Sequence, residues 1–113
     1  MEVPPFDVSV EWEDGQPIVT ICGELDFATA PILQEALKDV LDKGAEHLIL
    51  DFHKVTFLDS EGLKVLLLAY RLLRDRGGRI AVEGCSRFVA KTFEILGLHT
   101  YFDICPERNQ NRS

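Results

Sequence analysis

The segment His47-Leu48-Ile49-Leu50-Asp51-Phe52 decides the fold. It is a short, nearly unbroken apolar run, the pattern of a central strand covered on both faces. Ahead of it, Thr29 to Lys43 reads as a helix. Ile32, Leu33, Ala36, Leu37, Val40 and Leu41 recur at helical spacing, and Gln34, Glu35, Lys38, Asp39 and Asp42 take the other side. Pro31 suits the first turn, and Gly44 suits the left-handed position at the end. Behind the run, a connection from His53 to Phe57 leads into Phe57-Leu58-Asp59-Ser60-Glu61-Gly62-Leu63. A second helix follows, from about Glu61 to Arg76, with Leu63, Leu66, Leu67, Tyr70 and Leu73 as its core stripe.

Outward from this centre, Phe6, Val8, Val10 and Trp12 alternate with Asp7, Ser9 and Glu11, which predicts a half-buried strand. Asp14-Gly15 is a hairpin signal, and Pro17 to Cys22 returns as a more buried strand that Gly23-Glu24-Leu25-Asp26 ends. Towards the C-terminus, Gly77-Gly78 stops the second helix and Arg79 to Gly84 forms another strand. Ser86 can cap a third helix carrying Phe88, Val89, Phe93, Ile95 and Leu96 and ended by Gly97. Tyr101 to Cys105 adds a short strand or packs a last turn. The order predicts an α/β domain of two or three layers, with helices packed on a mixed sheet of four or five strands.

The 113 residues make one domain, 1–113, with a polar tail from about Pro106 expected to be flexible. A formal net charge of −7 argues against direct nucleic-acid binding and against docking on an anionic membrane surface. Cys22, Cys85 and Cys105 are far apart, with no CxxC and no histidine at ligand spacing, so no metal site is expected. Met1-Glu2-Val3-Pro4-Pro5 does not read as a signal peptide, and no apolar stretch reaches the ~18 residues of a membrane span. A cytoplasmic protein is expected.

The strands at Pro17 to Cys22 and His47 to Phe52 are joined by a helix, so a right-handed crossover makes them parallel. Their C-terminal ends then share one edge of the sheet, where open α/β sheets commonly place function. Asp26 to Thr29 and Asp59-Ser60 therefore converge. Enzymatic readings of this edge fit poorly. Leu58-Asp59-Ser60-Glu61-Gly62 lacks the first glycine of a nucleophile elbow. Asp51 ends a central strand like a phosphoacceptor aspartate, but an early acidic pair to hold magnesium is missing. There is no glycine-rich phosphate loop. No catalytic residue is expected. On spacing alone, plain helix capping by Ser60 or Asp59 is the simpler reading.

Three stretches resemble the anti-sigma factor antagonists, bacterial members of the STAS-domain family. They are Gly23-Glu24-Leu25-Asp26 with Thr29-Ala30; Leu50-Asp51-Phe52 through Val55-x-Phe57-Leu58-Asp59-Ser60-x-Gly62-Leu63; and Val89-x-x-x-Phe93 with Gly97-Leu98. The resemblance implies phosphorylation of Ser60 by an anti-sigma factor that is also a serine kinase. It implies that the unphosphorylated chain binds that kinase and frees a sigma factor, and that a phosphatase resets the cycle. Partner binding would involve Asp26, Thr29, Asp59, Ser60, Glu61 and Gly62. No cofactor is implied for this chain, since ATP and magnesium would belong to the kinase. Glu61 departs from the pattern, standing where many members carry a small hydroxyl or alanine. The alternative is a STAS module that is never phosphorylated and serves as a scaffold in a stress-signalling or lipid-transport complex.

Overall fold

A computed structural model describes residues 5–105; the polar tail expected from Pro106 onward lies outside them. Five strands form one sheet in the order β1 (Asp7–Glu13), β2 (Gln16–Leu25), β3 (His47–Leu58), β4 (Arg79–Glu83) and β5 (Asp103–Cys105). Among the described residues, three helices lie between them: α1 (Ala30–Asp42), α2 (Ser60–Asp75) and α3 (Arg87–Ile95). A single 3-10 turn, Leu98–Thr100, leads into β5, so the stretch after α3 both turns and pairs.

β1 and β2 are antiparallel and close through Asp14 and Gly15, both at positive φ (52° and 78°). That pair of left-handed residues matches the twist of the flanking strands, and glycine adopts it without steric cost. The remaining pairs are parallel. Because strand order always advances in the same direction, right-handed crossovers place all three helices on one face. The sheet is therefore two-layered. Val19, Ile21, Leu48, Leu50, Phe52, Ile80 and Val82 meet Leu33, Leu37, Leu66, Leu73, Val89 and Phe93 in one buried cluster. Full burial of each such side chain contributes roughly 1.5–3 kcal/mol. Ile49 and Asp51, on the opposite face, are buried too, as the reading of this run requires.

Two expectations change. Trp12 does not share the burial of Val8 and Val10; it is exposed at the hairpin end. More consequentially, His53 to Phe57 is not a connection. β3 continues through it to Leu58, and β2 continues to Leu25. The pairing shifts register twice, between Thr20 and Cys22 and between Gly23 and Glu24, so β3 carries two extra residues. Irregularities of this kind break the two-residue alternation and bend the strand, and they recur next to functional sites. Here they deliver Asp59 to the sheet edge beside the end of β2.

At the far end of the helices, Arg76 Nη1 donates to the carbonyls of Leu41 (2.9 Å) and Ala45 (3.2 Å). This ties the end of α2 to the end of α1 and to the segment after it, adding a charged donor to the Leu41 carbonyl, which also accepts the Gly44 N–H. Among the described residues, no helix is long and apolar enough to cross a membrane.

Candidate functional site

Asp59 is the N-cap of α2. Its backbone is extended, and its Oδ1 accepts the N–H groups of Glu61 (2.9 Å) and Gly62 (3.1 Å). Aspartate suits this position because a carboxylate satisfies orphan N–H groups and faces the positive end of the helix dipole. Ser60 is thereby the first residue of the helix and not its cap. Its side chain is exposed, and among the described residues its hydroxyl has no hydrogen-bond partner. The capping reading of this serine is corrected: Asp59 already fills the role.

The loop after β2 is locked by a reciprocal turn. Asp26 Oδ1 accepts from the N–H groups of Ala28 (3.0 Å) and Thr29 (3.1 Å), while Thr29 Oγ1 accepts the Asp26 N–H at 2.9 Å. The arrangement is that of a capping box, one turn ahead of α1. Thr29 Oγ1 also lies 2.7 Å from the Glu24 carbonyl, to which it donates. Its hydroxyl thus serves the loop's own geometry.

The two loops are joined directly. The Asp59 N–H donates to the Leu25 carbonyl (3.1 Å), and the Phe27 N–H donates to Asp59 Oδ2 (3.2 Å). The convergence expected from topology is real. Gly62 is buried in the same junction. A Cβ there would stand 2.7 Å from Leu25 Cγ and 2.9 Å from Leu58 Cδ1. The close approach of α2 to the strand ends needs a residue without a side chain.

Around Ser60 the surface is acidic, with Glu24 exposed and Asp26, Asp59 and Glu61 half-buried. Glu61 is matched by Lys64, whose Nζ lies 2.9 Å from Glu61 Oε2. That contact raises the Lys64 pKa, first through the hydrogen bond and then through the opposite charge. Two aromatic side chains stand at the same edge, Phe27 74% exposed and Phe57 40% exposed. The sequence reading passed over Phe27 and Lys64. An aromatic within a polar loop, and a Glu–Lys pair three apart on a helix, were the available signals.

Among the described residues no group of histidine, cysteine and acidic side chains is placed to hold a metal ion. Cys85 is buried, Cys22 half-buried and Cys105 exposed.

The chain is 32% identical over 99 residues to the anti-sigma-B factor antagonist of Bacillus subtilis (strain 168), spanning 88% of this chain and 90% of that one. It is 31% identical over 102 residues to the anti-sigma F factor antagonist of Paenibacillus polymyxa, spanning 89% and 85%. Among solved structures, an anti-sigma factor antagonist from Mycobacterium paratuberculosis superposes with a TM-score of 0.79 at 30% identity, covering 90% of this chain and 86% of that one. The STAS domain pattern matches residues 7–111. With the five-stranded sheet, the Asp59-capped helix and the Asp26 loop in place, the chain belongs to the STAS domain family.

Proposed function

We propose that this protein is an anti-sigma factor antagonist controlled by phosphorylation of Ser60. Unphosphorylated, it binds an anti-sigma factor through the edge formed by the Asp26 loop and the start of α2, and so releases a sigma factor. The anti-sigma factor is also the kinase. Ser60 Oγ attacks the γ-phosphorus of ATP held by that partner, the bond to the ADP oxygen breaks, the hydroxyl proton passes to a base of the kinase, and ADP leaves. A phosphatase later removes the phosphate.

One observation carries this reading. Ser60 is exposed, and among the described residues its hydroxyl has no partner, the adjacent Asp59 satisfying the helix end. A phosphate adds about −1.5 to −2 charges. Facing water at a helix N-terminus, that charge is tolerated, so the fold need not change. Inside an interface the same group must be desolvated beside Asp59 and Glu61, and the cost falls on the complex alone. The affinity difference between the two states follows from this asymmetry.

Incubation with the cognate anti-sigma kinase, ATP and magnesium should add one phosphate, and Ser60→Ala should abolish it. An intact mass showing no addition, or addition elsewhere only, overturns the reading. Ser60→Asp should weaken partner binding while Ser60→Ala retains it. Equal affinities would favour the scaffold alternative.

A further inference from the structure

We infer that Lys64 is the counter-ion of the phosphate on Ser60, and that modification draws it away from Glu61. The inference rests on Ser60 being the phosphoacceptor and adds how the charge is received.

Ser60 and Lys64 are four apart on one helix, so they occupy the same face one turn from each other. Side chains on a helix lean towards its N-terminus, which directs the lysine stem over the turn that holds Ser60 and Glu61. Both residues are exposed, so no buried group has to move. The backbone N–H groups of Glu61 and Gly62, which would otherwise attract an anion at this helix end, already serve Asp59 Oδ1. A phosphate could claim them only by expelling Asp59, which would also release the Phe27 N–H from Asp59 Oδ2. Along α2, Lys64 is a cation one turn from Ser60, and its ammonium lies 2.9 Å from the Glu61 carboxylate. A group of nearly two negative charges outcompetes a carboxylate of one for the same ammonium.

The exchange gives Glu61 a role. In the unmodified chain, Glu61 and Lys64 neutralise each other beside a neutral hydroxyl. After phosphorylation, Lys64 partly covers the phosphate and the Glu61 carboxylate is left bare on the partner-facing edge. The acidic residue at this position therefore enlarges the change that a partner meets, where a small hydroxyl or alanine would not.

Phosphoserine installed at position 60 during translation tests this without any kinase. Phosphorus NMR then follows the second ionisation of the phosphate, near pH 6. Lys64→Gln should raise that midpoint by about 0.3 pH unit, as expected for a helix pair of this spacing, and Lys64→Arg should restore it. Nitrogen NMR of the Lys64 ammonium should show its signal moving when phosphoserine replaces serine. A phosphate midpoint unaffected by Lys64→Gln overturns the inference, as does a Lys64 ammonium signal indifferent to the phosphate. Failure of a cognate kinase to modify Ser60 would leave these measurements standing and strike only the proposed function.

Discussion

Asp59 Oδ2 accepts the backbone N–H of Phe27 at 3.2 Å while Asp59 Oδ1 caps α2. One carboxylate thus fixes both halves of the site, across 32 residues of chain. Two substitutions separate its roles. Asp59→Ala loses the cap and the bridge together and should lower stability by ~1–2 kcal/mol in urea unfolding. Asp59→Asn can still present one oxygen to the helix, but its amide NH2 would face the Phe27 N–H, donor against donor. It should therefore keep most of the stability yet show faster hydrogen exchange at the Phe27 amide. Equal exchange in Asp59→Asn and wild type would mean that the bridge does not order the loop.

Gly62→Ala should be costly for a different reason. The added methyl would meet Leu25 Cγ at 2.7 Å, Leu58 Cδ1 at 2.9 Å and the Leu25 carbonyl at 3.0 Å. Two of these are side chains that can give way a little, but the third is backbone. A loss of roughly 1–3 kcal/mol is expected, the usual range for overpacking, and urea midpoints measure it. The displacement should also reach the amide shifts of Phe27 and Asp59, because the helix start and the loop share this junction. Helix propensity alone predicts the opposite sign, since alanine is the better helix former.

The sequence carried the helices well because α1 and α2 each bury one stripe, and a 3.6-residue period survives small errors at the ends. It carried the edge less well. His53, Lys54, Val55, Thr56, Phe57 and Leu58 bury only the third and sixth residue, a period that two register shifts impose and that no strand template contains. The convergence of the Asp26 and Asp59 loops was legible from chain topology. Which of Asp59 and Ser60 caps α2 was not, since both are good caps, and only the geometry after the shifted strand decides it. Arg76 illustrates the same limit. Periodicity places it at the end of the second helix but does not show that its guanidinium reaches the end of α1.

Burial raises the Cys85 thiol pKa, with Cys105 adding a smaller push in the same direction. The protonated thiol is thus favoured in the folded state. Its contribution is complete below the unfolded thiol pKa of about 8.5 and is lost as pH rises through the higher folded value. Unfolding midpoints should fall between pH 8 and pH 10, and less so in Cys85→Ala; identical pH profiles would remove Cys85 as a cause. Iodoacetamide at pH 8, followed by peptide mass analysis, should label exposed Cys105 first, half-buried Cys22 next and Cys85 only on unfolding.

Phe27 offers the sharpest separation of binding from folding. Its side chain is 74% exposed, so removing it takes almost nothing from the core. Its backbone is nonetheless held by Asp59, and the preceding residue is locked by the Asp26–Thr29 turn. An exposed aromatic on a held backbone is an anchor of the kind that dominates protein interfaces, and Glu24, Asp26 and Glu61 make the same edge acidic. Phe27→Ala should leave the urea midpoint unchanged and weaken binding to the anti-sigma factor by roughly 30-fold, equivalent to about 2 kcal/mol. Phe57→Ala removes a ring that is more than half covered, so it should lower both affinity and stability. Calorimetry on the two variants reads the difference. A Phe27→Ala protein that binds like wild type would move the anchor elsewhere, whereas loss of affinity in step with stability would assign Phe27 to the fold.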